Sequence, residues 1–330
     1  MESPDSVAAL GESPQTVQRT GRVGGCSYNQ PMTLSEEIET FAPAEFNDAE
    51  LVGLFEPNSE EWHKARESGI GGSEVGTIVG LNPWDSAFAL WARRTGQIPE
   101  KQLNGWAIRF GHAFEEPILR MWAAEHPEWK VMRTGTYRSR RHSYQLANPD
   151  ALAQHVETGE WMVIEVKTSR NPWKEAPPAY VAQVQHYMDV MGIKRGVLVG
   201  VVGWDWEERP IEADEFYQES LRDAAGRFWD HLVKVAPPQW DGSKSTYEAV
   251  REMHPDIDVE AVDLGLLGEE LLSVAQHASE AEFELNRVKS EVLDAMGRAK
   301  TGFIIRNGEE VRVASRQARG KGTPWLVVHK

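Results

Sequence analysis

The chain has 330 residues, of which 41% are hydrophobic, and it carries a formal net charge of −16 and a single cysteine, Cys26. Such a length and composition predict a globular protein of one or two domains with a buried core. One cysteine excludes an internal disulfide and any metal site or iron–sulfur cluster built from cysteines alone.

The negative charge is concentrated in one part of the chain. Between Asp241 and Ala295 there are 14 acidic and 4 basic residues, whereas Lys130 to Arg141 has five basic residues and no acidic one. A general nucleic-acid binder is usually basic, but positive charge is needed only where a phosphate backbone lies. No apolar run reaches about 18 residues and no signal peptide is visible, so we expect no membrane partner and a cytoplasmic location.

The first half of the chain predicts a tail followed by helices. Residues 1–42 are rich in Ser, Gly, Pro, Gln and Thr, which is typical of a disordered tail. Two short helices, 61–66 and 73–79, flank the turn Gly69-Ile70-Gly71-Gly72, with Ser73 as the expected N-cap and Gly80 ending the second helix. Apolar spacing then predicts further helices at 85–95 and 106–126.

Strands and helices follow in the order expected of an α/β protein. The segments 131–137, 144–153 and 161–168 read as strands, with a turn at Thr158-Gly159 between the last two. A helix is expected at 180–191, ending at Gly192, and a buried strand at 197–202. Another helix is expected at 215–235, before Pro237-Pro238.

The last part of the chain predicts a long helix and a hairpin. Apolar residues recur there at alternating spacings of four and three, which is a heptad pattern: Leu267, Leu271, Val274, Ala278, Ala281, Leu285, Val288, Val292 and Ala295. An intramolecular helical arm and a partner surface explain this pattern equally well. Asn307-Gly308 then predicts a β-hairpin. We expect a tail at 1–42, the main domain at 43–240, and a helical and hairpin segment at 241–330.

The main domain contains one group of residues with clear chemical meaning. Asp150 follows Pro149, and Glu165 and Lys167 lie two residues apart in an otherwise apolar strand, so they share one face about 6.6–6.8 Å apart. A hairpin turning at Gly159 brings Asp150 beside Glu165. Two carboxylates suit Mg²⁺ or Mn²⁺, and a lysine beside them can orient a water and stabilise charge at phosphorus. A cross-strand ion pair on an exposed face is the alternative.

Further motifs around this group resemble those of the YqaJ-type viral recombinase family, which includes phage lambda exonuclease. The resemblance rests on five motifs in the family's order, within residues 60–205: Arg66 with Gly69-Ile70-Gly71-Gly72-Ser73-Glu74 and Leu90-Trp91, Gly111 to Glu115, Asn148-Pro149-Asp150, Glu165-Val166-Lys167, and Tyr180 to Gln185. It implies a PD-(D/E)XK nuclease core, a central mixed sheet flanked by helices, with a C-terminal long-helix and β-hairpin appendage.

The resemblance also implies roles for individual residues. Asp150 and Glu165 would bind metal, together with the Val166 carbonyl and Glu115, and Lys167 would assist the water. Glu116 remains a rival to Glu115, because one step along a helix turns a side chain by about 100°. The remaining roles concern the DNA: Arg66 and Ser73 would hold its 5′-phosphate, and Gln183 would contact phosphate or orient a ligand.

The function implied is 5′→3′ digestion of double-stranded DNA ends with Mg²⁺, for which Mn²⁺ would substitute, at two ions per site. The product would be a 3′ single-stranded overhang for phage-type recombination, made in the bacterial host cytoplasm. A single-strand annealing protein and further copies of this chain are the partners that the family suggests. The alternatives are a structure-dependent endonuclease or single-strand nuclease of the same fold, and a non-catalytic protein that binds DNA ends.

Overall fold

The computed structural model describes residue 38 and residues 40–56, 59–101, 105–318, 320 and 322–329. It divides into two compact units, and the chain passes from the first to the second after Pro255. The expected tail lies outside the described residues apart from residue 38 and residues 40–42. In that short stretch Ile38 and Ala42 are buried, and the Ala42 N–H donates to the carbonyl of Arg133. Packed structure is therefore present before residue 43.

The first unit contains nine strands and seven helices among its described residues. In chain order they are β1 (Ala49–Gly53), α1 (Glu60–Glu67), β2 (Ile70–Gly71), α2 (Gly72–Ile78), α3 (Ala87–Arg94), α4 (Trp106–Glu125), β3 (Trp129–Met132), β4 (Thr136–Ser139), β5 (Gln145–Ala147), β6 (Ala151–His155), β7 (Trp161–Ser169), α5 (Pro178–Met191), β8 (Arg195–Val202), β9 (Asp205–Glu212), α6 (Glu215–Val233) and α7 (Lys244–Met253).

A five-stranded mixed sheet forms the centre of this unit, in the order β3-β6-β7-β8-β9. Only β7 and β8 are parallel, and α5 connects them. β9 is an edge strand that the sequence analysis missed. It is polar and contains Pro210, which an edge strand tolerates because one row of its backbone groups has no neighbour.

Helices cover both faces of the sheet because β7 and β8 are apolar on both sides. On one face Ile118, Leu119 and Trp122 of α4 pack with β-strand residues that include Ile164 and Val199. On the other face α5 packs against residues that include Val163 and Leu198. The predicted fold class, a mixed sheet flanked by helices, is therefore confirmed.

A second, four-stranded sheet has the order β1-β4-β5-β2, and it explains two corrections to the expected strands. The segments 131–137 and 144–153 are each two strands, one in each sheet, rather than single strands. The second break falls at Asn148-Pro149-Asp150, where proline lacks the N–H that a central ladder needs. Asp150 consequently stands just before β6, not near the end of a continuous strand.

Two further expectations change in detail. The N-cap of α2 is Gly71 rather than Ser73, because the helix begins at Gly72. The Glu74 carboxylate accepts the Gly71 N–H at 2.9 Å. The first unit also extends past the expected boundary at residue 240, since α7 buries Ala249 in the same core cluster as Phe88 of α3. Gly80 does follow α2 with φ +73°, as expected of a helix-ending glycine.

The second unit contains the 31-residue helix α8 (Leu266–Met296) and an antiparallel sheet. Its strands are β10 (Thr301–Arg306), β11 (Glu309–Gln317) and β12 (Trp325–Val328). Asn307 and Gly308 have φ of +54° and +83°, so the Asn-Gly hairpin prediction is confirmed. No residue of α8 is buried. Within the described part of the chain, no helix has the length and apolar character of a membrane span.

Candidate active site

Asp150 is held beside the strand that carries Glu165 and Lys167. The pairing of β6 with β7 sets Ala151 opposite Ile164, which places the preceding residue, Asp150, level with the next residue of β7. The Val166 N–H donates to Asp150 Oδ2 at 2.6 Å. The turn predicted at Gly159, which has φ +73°, joins these two strands. The hairpin therefore brings the two carboxylates together as the sequence suggested.

Glu165 and Lys167 interact directly where β7 approaches its end. The Lys167 ammonium donates to Glu165 Oε1 at 2.6 Å, and the Gln183 side-chain amide donates to the same oxygen at 2.6 Å. Glu165 is 2% exposed, and its second oxygen, Oε2, is buried with no hydrogen-bond partner. A buried carboxylate oxygen without a donor is costly, so this atom is suited to a cation.

Both carboxylates and the lysine line one open cavity of about 310 Å³. Helix α4 forms its other wall, with Gly111, His112 and Glu115. Glu116 lies outside this wall and is 3.7 Å from Arg133 in an ion pair. Glu115 therefore lines the cavity that contains both Asp150 and Glu165, whereas Glu116 lines an adjoining cavity with Glu115 and Asp150.

Crowding and burial make the three carboxyls of the cavity difficult to ionise together. Burial, and then the charge of Glu165, raises the pKa of Glu115 to about 7. Burial and the charge of Glu115 raise the pKa of Asp150 to about 7. Burial and Asp150 raise the pKa of Glu165 to about 8. The pKa of Lys167 is also raised, since its carboxylate neighbours outweigh the effect of burial.

These residues fit a divalent cation by chemistry rather than as a preassembled cage. Among the described residues, no three Asp, Glu, His or Cys side chains form a ready-made metal site. The Lys167 ammonium and the Val166 N–H each engage one carboxylate oxygen. Oxygen donors are nevertheless what Mg²⁺ and Mn²⁺ prefer, and the unpartnered Glu165 Oε2 supplies one. The Val166 carbonyl stays a predicted ligand.

The predicted phosphate-binding pair is also assembled. Arg66 Nη2 donates to Ser73 Oγ at 2.9 Å, across the turn between α1 and α2. The Arg66 guanidinium lies 4.5 Å from the centre of the Trp62 ring, which limits its freedom. Ser73 is exposed. The Gly71 N–H, which the turn was expected to offer to an anion, is already used by Glu74.

Tyr187, which the sequence analysis missed, connects this turn to the carboxylates. An added Cβ at Gly72 would lie 2.4 Å from the Tyr187 ring, so only glycine fits there. The Tyr187 hydroxyl accepts a hydrogen bond from Gln183 at 3.0 Å, and Gln183 in turn donates to Glu165. Tyr187 lies four residues after Gln183 on α5, on the same helix face, and that spacing could have identified it.

Tyr180 is a second residue that the sequence analysis left without a role, although its motif was recognised. The Lys167 ammonium lies 4.9 Å from the centre of the Tyr180 ring. An aromatic face stabilises a nearby cation. Tyr180 therefore helps to keep Lys167 charged and in place.

Several other polar and basic residues do not line the cavity. Gln185 donates to the Glu212 carbonyl, away from Glu165, consistent with the choice of Gln183. His186 is buried, and its Nε2 bonds the Leu146 carbonyl. Arg140 pairs with Glu50 and Arg141 pairs with Asp48. These two arginines of the basic segment are therefore already occupied by acidic partners.

Comparisons with known proteins support the family resemblance. Residues 61–194 match the model of the YqaJ-like viral recombinase domain. The chain is 28% identical over 266 residues to the uncharacterized protein YqaJ of Bacillus subtilis (strain 168), covering 76% of this chain and 82% of that protein.

Two solved structures are similar at low sequence identity. An alkaline exonuclease from Laribacter hongkongensis is 18% identical, with 54% of this chain and 94% of that chain covered and a TM-score of 0.42. A phage-related exonuclease from Haemophilus somnus 129PT is 12% identical, with 51% and 96% covered and a TM-score of 0.38. The resemblance drawn from the motifs is therefore confirmed by the family model, which residues 61–194 of this chain match.

Proposed function

We propose that this protein is a metal-dependent exonuclease that digests the 5′-terminated strand of double-stranded DNA and leaves 3′ single-stranded overhangs. One observation carries the proposal: Glu115, Asp150, Glu165 and Lys167 line a single cavity, and Gln183 and Tyr187 connect it to the Arg66–Ser73 turn. A paired-carboxylate site beside a cationic turn suits a phosphodiester at a chain end.

The roles follow from the positions of the side chains. Asp150, Glu165 and Glu115, with the Val166 carbonyl, would hold Mg²⁺, or Mn²⁺ in its place, at two ions per site. A cation bound there would supply a water of lowered pKa and neutralise charge at the phosphodiester. Lys167 orients the attacking water and faces the developing negative charge. Arg66 and Ser73 hold the terminal 5′-phosphate, and Gln183 orients Glu165.

Digestion of defined DNA substrates tests this function. We expect the purified protein to degrade linear duplex with 5′-phosphate ends in Mg²⁺, to release label from the 5′ end first, and to do nothing in EDTA. Covalently closed circular duplex should remain intact, because the reaction begins at an end. Cutting of the circle would instead favour an endonuclease, and a metal-independent mobility shift without digestion would favour a non-catalytic DNA-end binding protein.

Helix α8 supports a further part of the proposal, that several copies of this chain associate. Eight of its nine heptad residues are exposed, including Leu267 at 64% and Leu271 at 61%. Glu residues stand at positions 270, 284 and 291, which flank the seam on one side. In an antiparallel pair of helices these flanking positions face each other, so Glu would lie against Glu. A parallel pair instead brings Glu284 near Lys289 of the second copy.

A single-strand annealing protein remains the proposed partner for the overhang.

Light scattering on the purified chain measures this association. We expect a mass of at least twice 37.1 kDa, and a mass of one copy for the double variant Leu271→Asp with Leu285→Asp, since charge in the seam is costly. Leu272→Asp is the matched control, because Leu272 is equally exposed, at 68%, but lies outside the seam. A wild-type protein of single-copy mass would contradict the proposed association.

A further inference from the structure

Arg94, at the end of α3, reaches back to the segment between α1 and α2. Its Nη1 donates to Glu74 Oε1 at 2.5 Å, and its Nη2 lies 3.2 Å from the Glu67 carbonyl and 3.1 Å from the Gly69 carbonyl. The Arg94 side chain is only 12% exposed. One guanidinium therefore ties three acceptors of a single short segment together.

Glu74 extends these contacts to the turn itself. While one of its carboxylate oxygens receives Arg94, the other accepts the Gly71 N–H at 2.9 Å. The Glu74 side chain is 11% exposed, so the ion pair is mostly shielded from water. Together the two side chains bind the backbone of Gly69 and that of Gly71.

The segment fixed in this way lies between the two residues assigned to the 5′-phosphate. Arg66 precedes Gly69 and Ser73 follows Gly72, and their side chains meet at 2.9 Å. Rotation of the backbone between them would separate the guanidinium from the hydroxyl. Neither Arg94 nor Glu74 points to the carboxylate cavity, because both are engaged with the turn and with each other.

We propose that Arg94 and Glu74 are positioning residues for recognition of the 5′-phosphate: they touch no phosphate, and they hold the turn so that Arg66 and Ser73 bind one together. The inference rests on the proposed function. It separates binding of the end from the chemistry, since the Asp150, Glu165 and Lys167 group has its own contacts.

The chain offers a matched control in the adjacent residue. Arg93 also lies in the last turn of α3, its side chain is 11% exposed, and it forms an ion pair with Asp85. Asp85 lies just before α3, so this pair makes no contact with the turn. Loss of Arg93 removes a comparable charge pair without releasing Gly69 or Gly71.

Steady-state digestion of two duplexes, one with 5′-phosphate and one with 5′-hydroxyl ends, tests the proposal. For Arg94→Met we expect KM for the phosphorylated duplex to rise roughly tenfold, the size of one lost charge-assisted hydrogen bond. Its kcat should stay within about twofold and its KM for the hydroxyl duplex should not change. Arg93→Met should behave as the wild type, and Arg94→Lys should recover part of the preference.

A double variant, Glu74→Gln with Arg94→Met, removes the unpaired buried carboxylate and guards against simple unfolding. Its melting temperature should be near that of Arg93→Met, and it should still lose the preference for the duplex with 5′-phosphate ends. Retention of the preference by folded Arg94→Met, or equal loss in Arg93→Met, would overturn the inference and leave the nuclease proposal standing. A wild type that ignores the 5′-phosphate would overturn the inference too, whereas no digestion of either duplex contradicts the proposed function itself.

Discussion

Lys167→Ala is expected to lower the rate of duplex digestion by on the order of a thousandfold, the effect of removing a group that stabilises transition-state charge. The Lys167 ammonium is the cation closest to Glu165 in the cavity, at 2.6 Å. Among the described residues that line the cavity, no other is a lysine or an arginine, and Gln183, the other donor to Glu165, is neutral. Single-turnover digestion of end-labelled duplex measures the loss directly. Asp150→Ala should have an effect of the same order.

The adjacent residues Glu115 and Glu116 of α4 provide the control for this prediction. Glu115→Gln should lower the rate by roughly a hundredfold, since Glu115 lines the cavity. Glu116→Gln should leave the rate within about twofold, because Glu116 is turned to Arg133. Wild-type activity in Lys167→Ala or Asp150→Ala, with both proteins folded by circular dichroism, would refute the assignment of the active site.

Mg²⁺ is expected to raise the melting temperature of the protein, and to raise it more at pH 8.5 than at pH 6. The pKa values of Glu115, Asp150 and Glu165 are raised by burial and mutual repulsion to about 7, 7 and 8. The folded state therefore holds more protons than the unfolded state between about pH 4 and pH 8. In that window the metal-free protein loses stability as pH rises, and the ionised carboxylates become available to the cation.

Thermal unfolding with and without Mg²⁺ measures both effects. At a concentration of about 100 times Kd, a single site adds about 2.7 kcal/mol to the free energy of unfolding, which raises Tm by roughly 4–5 °C at this chain length. Asp150→Asn should flatten the pH dependence and reduce the Mg²⁺ effect, because one titrating ligand is removed. An equal Mg²⁺ effect at both pH values would contradict metal binding by these carboxyls.

Local patterns determined much of this protein. Gly80, Gly192 and Asn307-Gly308 marked helix ends and a hairpin correctly, since these positions adopt left-handed backbone conformations. The alternation of Glu165 and Lys167 in an apolar strand, with a turn at Gly159, was enough to predict that Asp150 would meet them. In each case the information lies in a few neighbouring residues.

Long-range contacts decided the rest. The segments 131–137 and 144–153 each split between two sheets because their second pairing partners, β1 and β2, lie far away in the chain. Two contacts near the site also join distant parts of the chain. Tyr187 packs against Gly72, which is 115 residues away in sequence, and Arg94 binds Glu74, which is 20 residues away. The neighbours of a residue in sequence determine its backbone conformation, but only the packing of distant elements selects the partners of its side chain. For this reason the residues that support the site could be identified only in the folded chain.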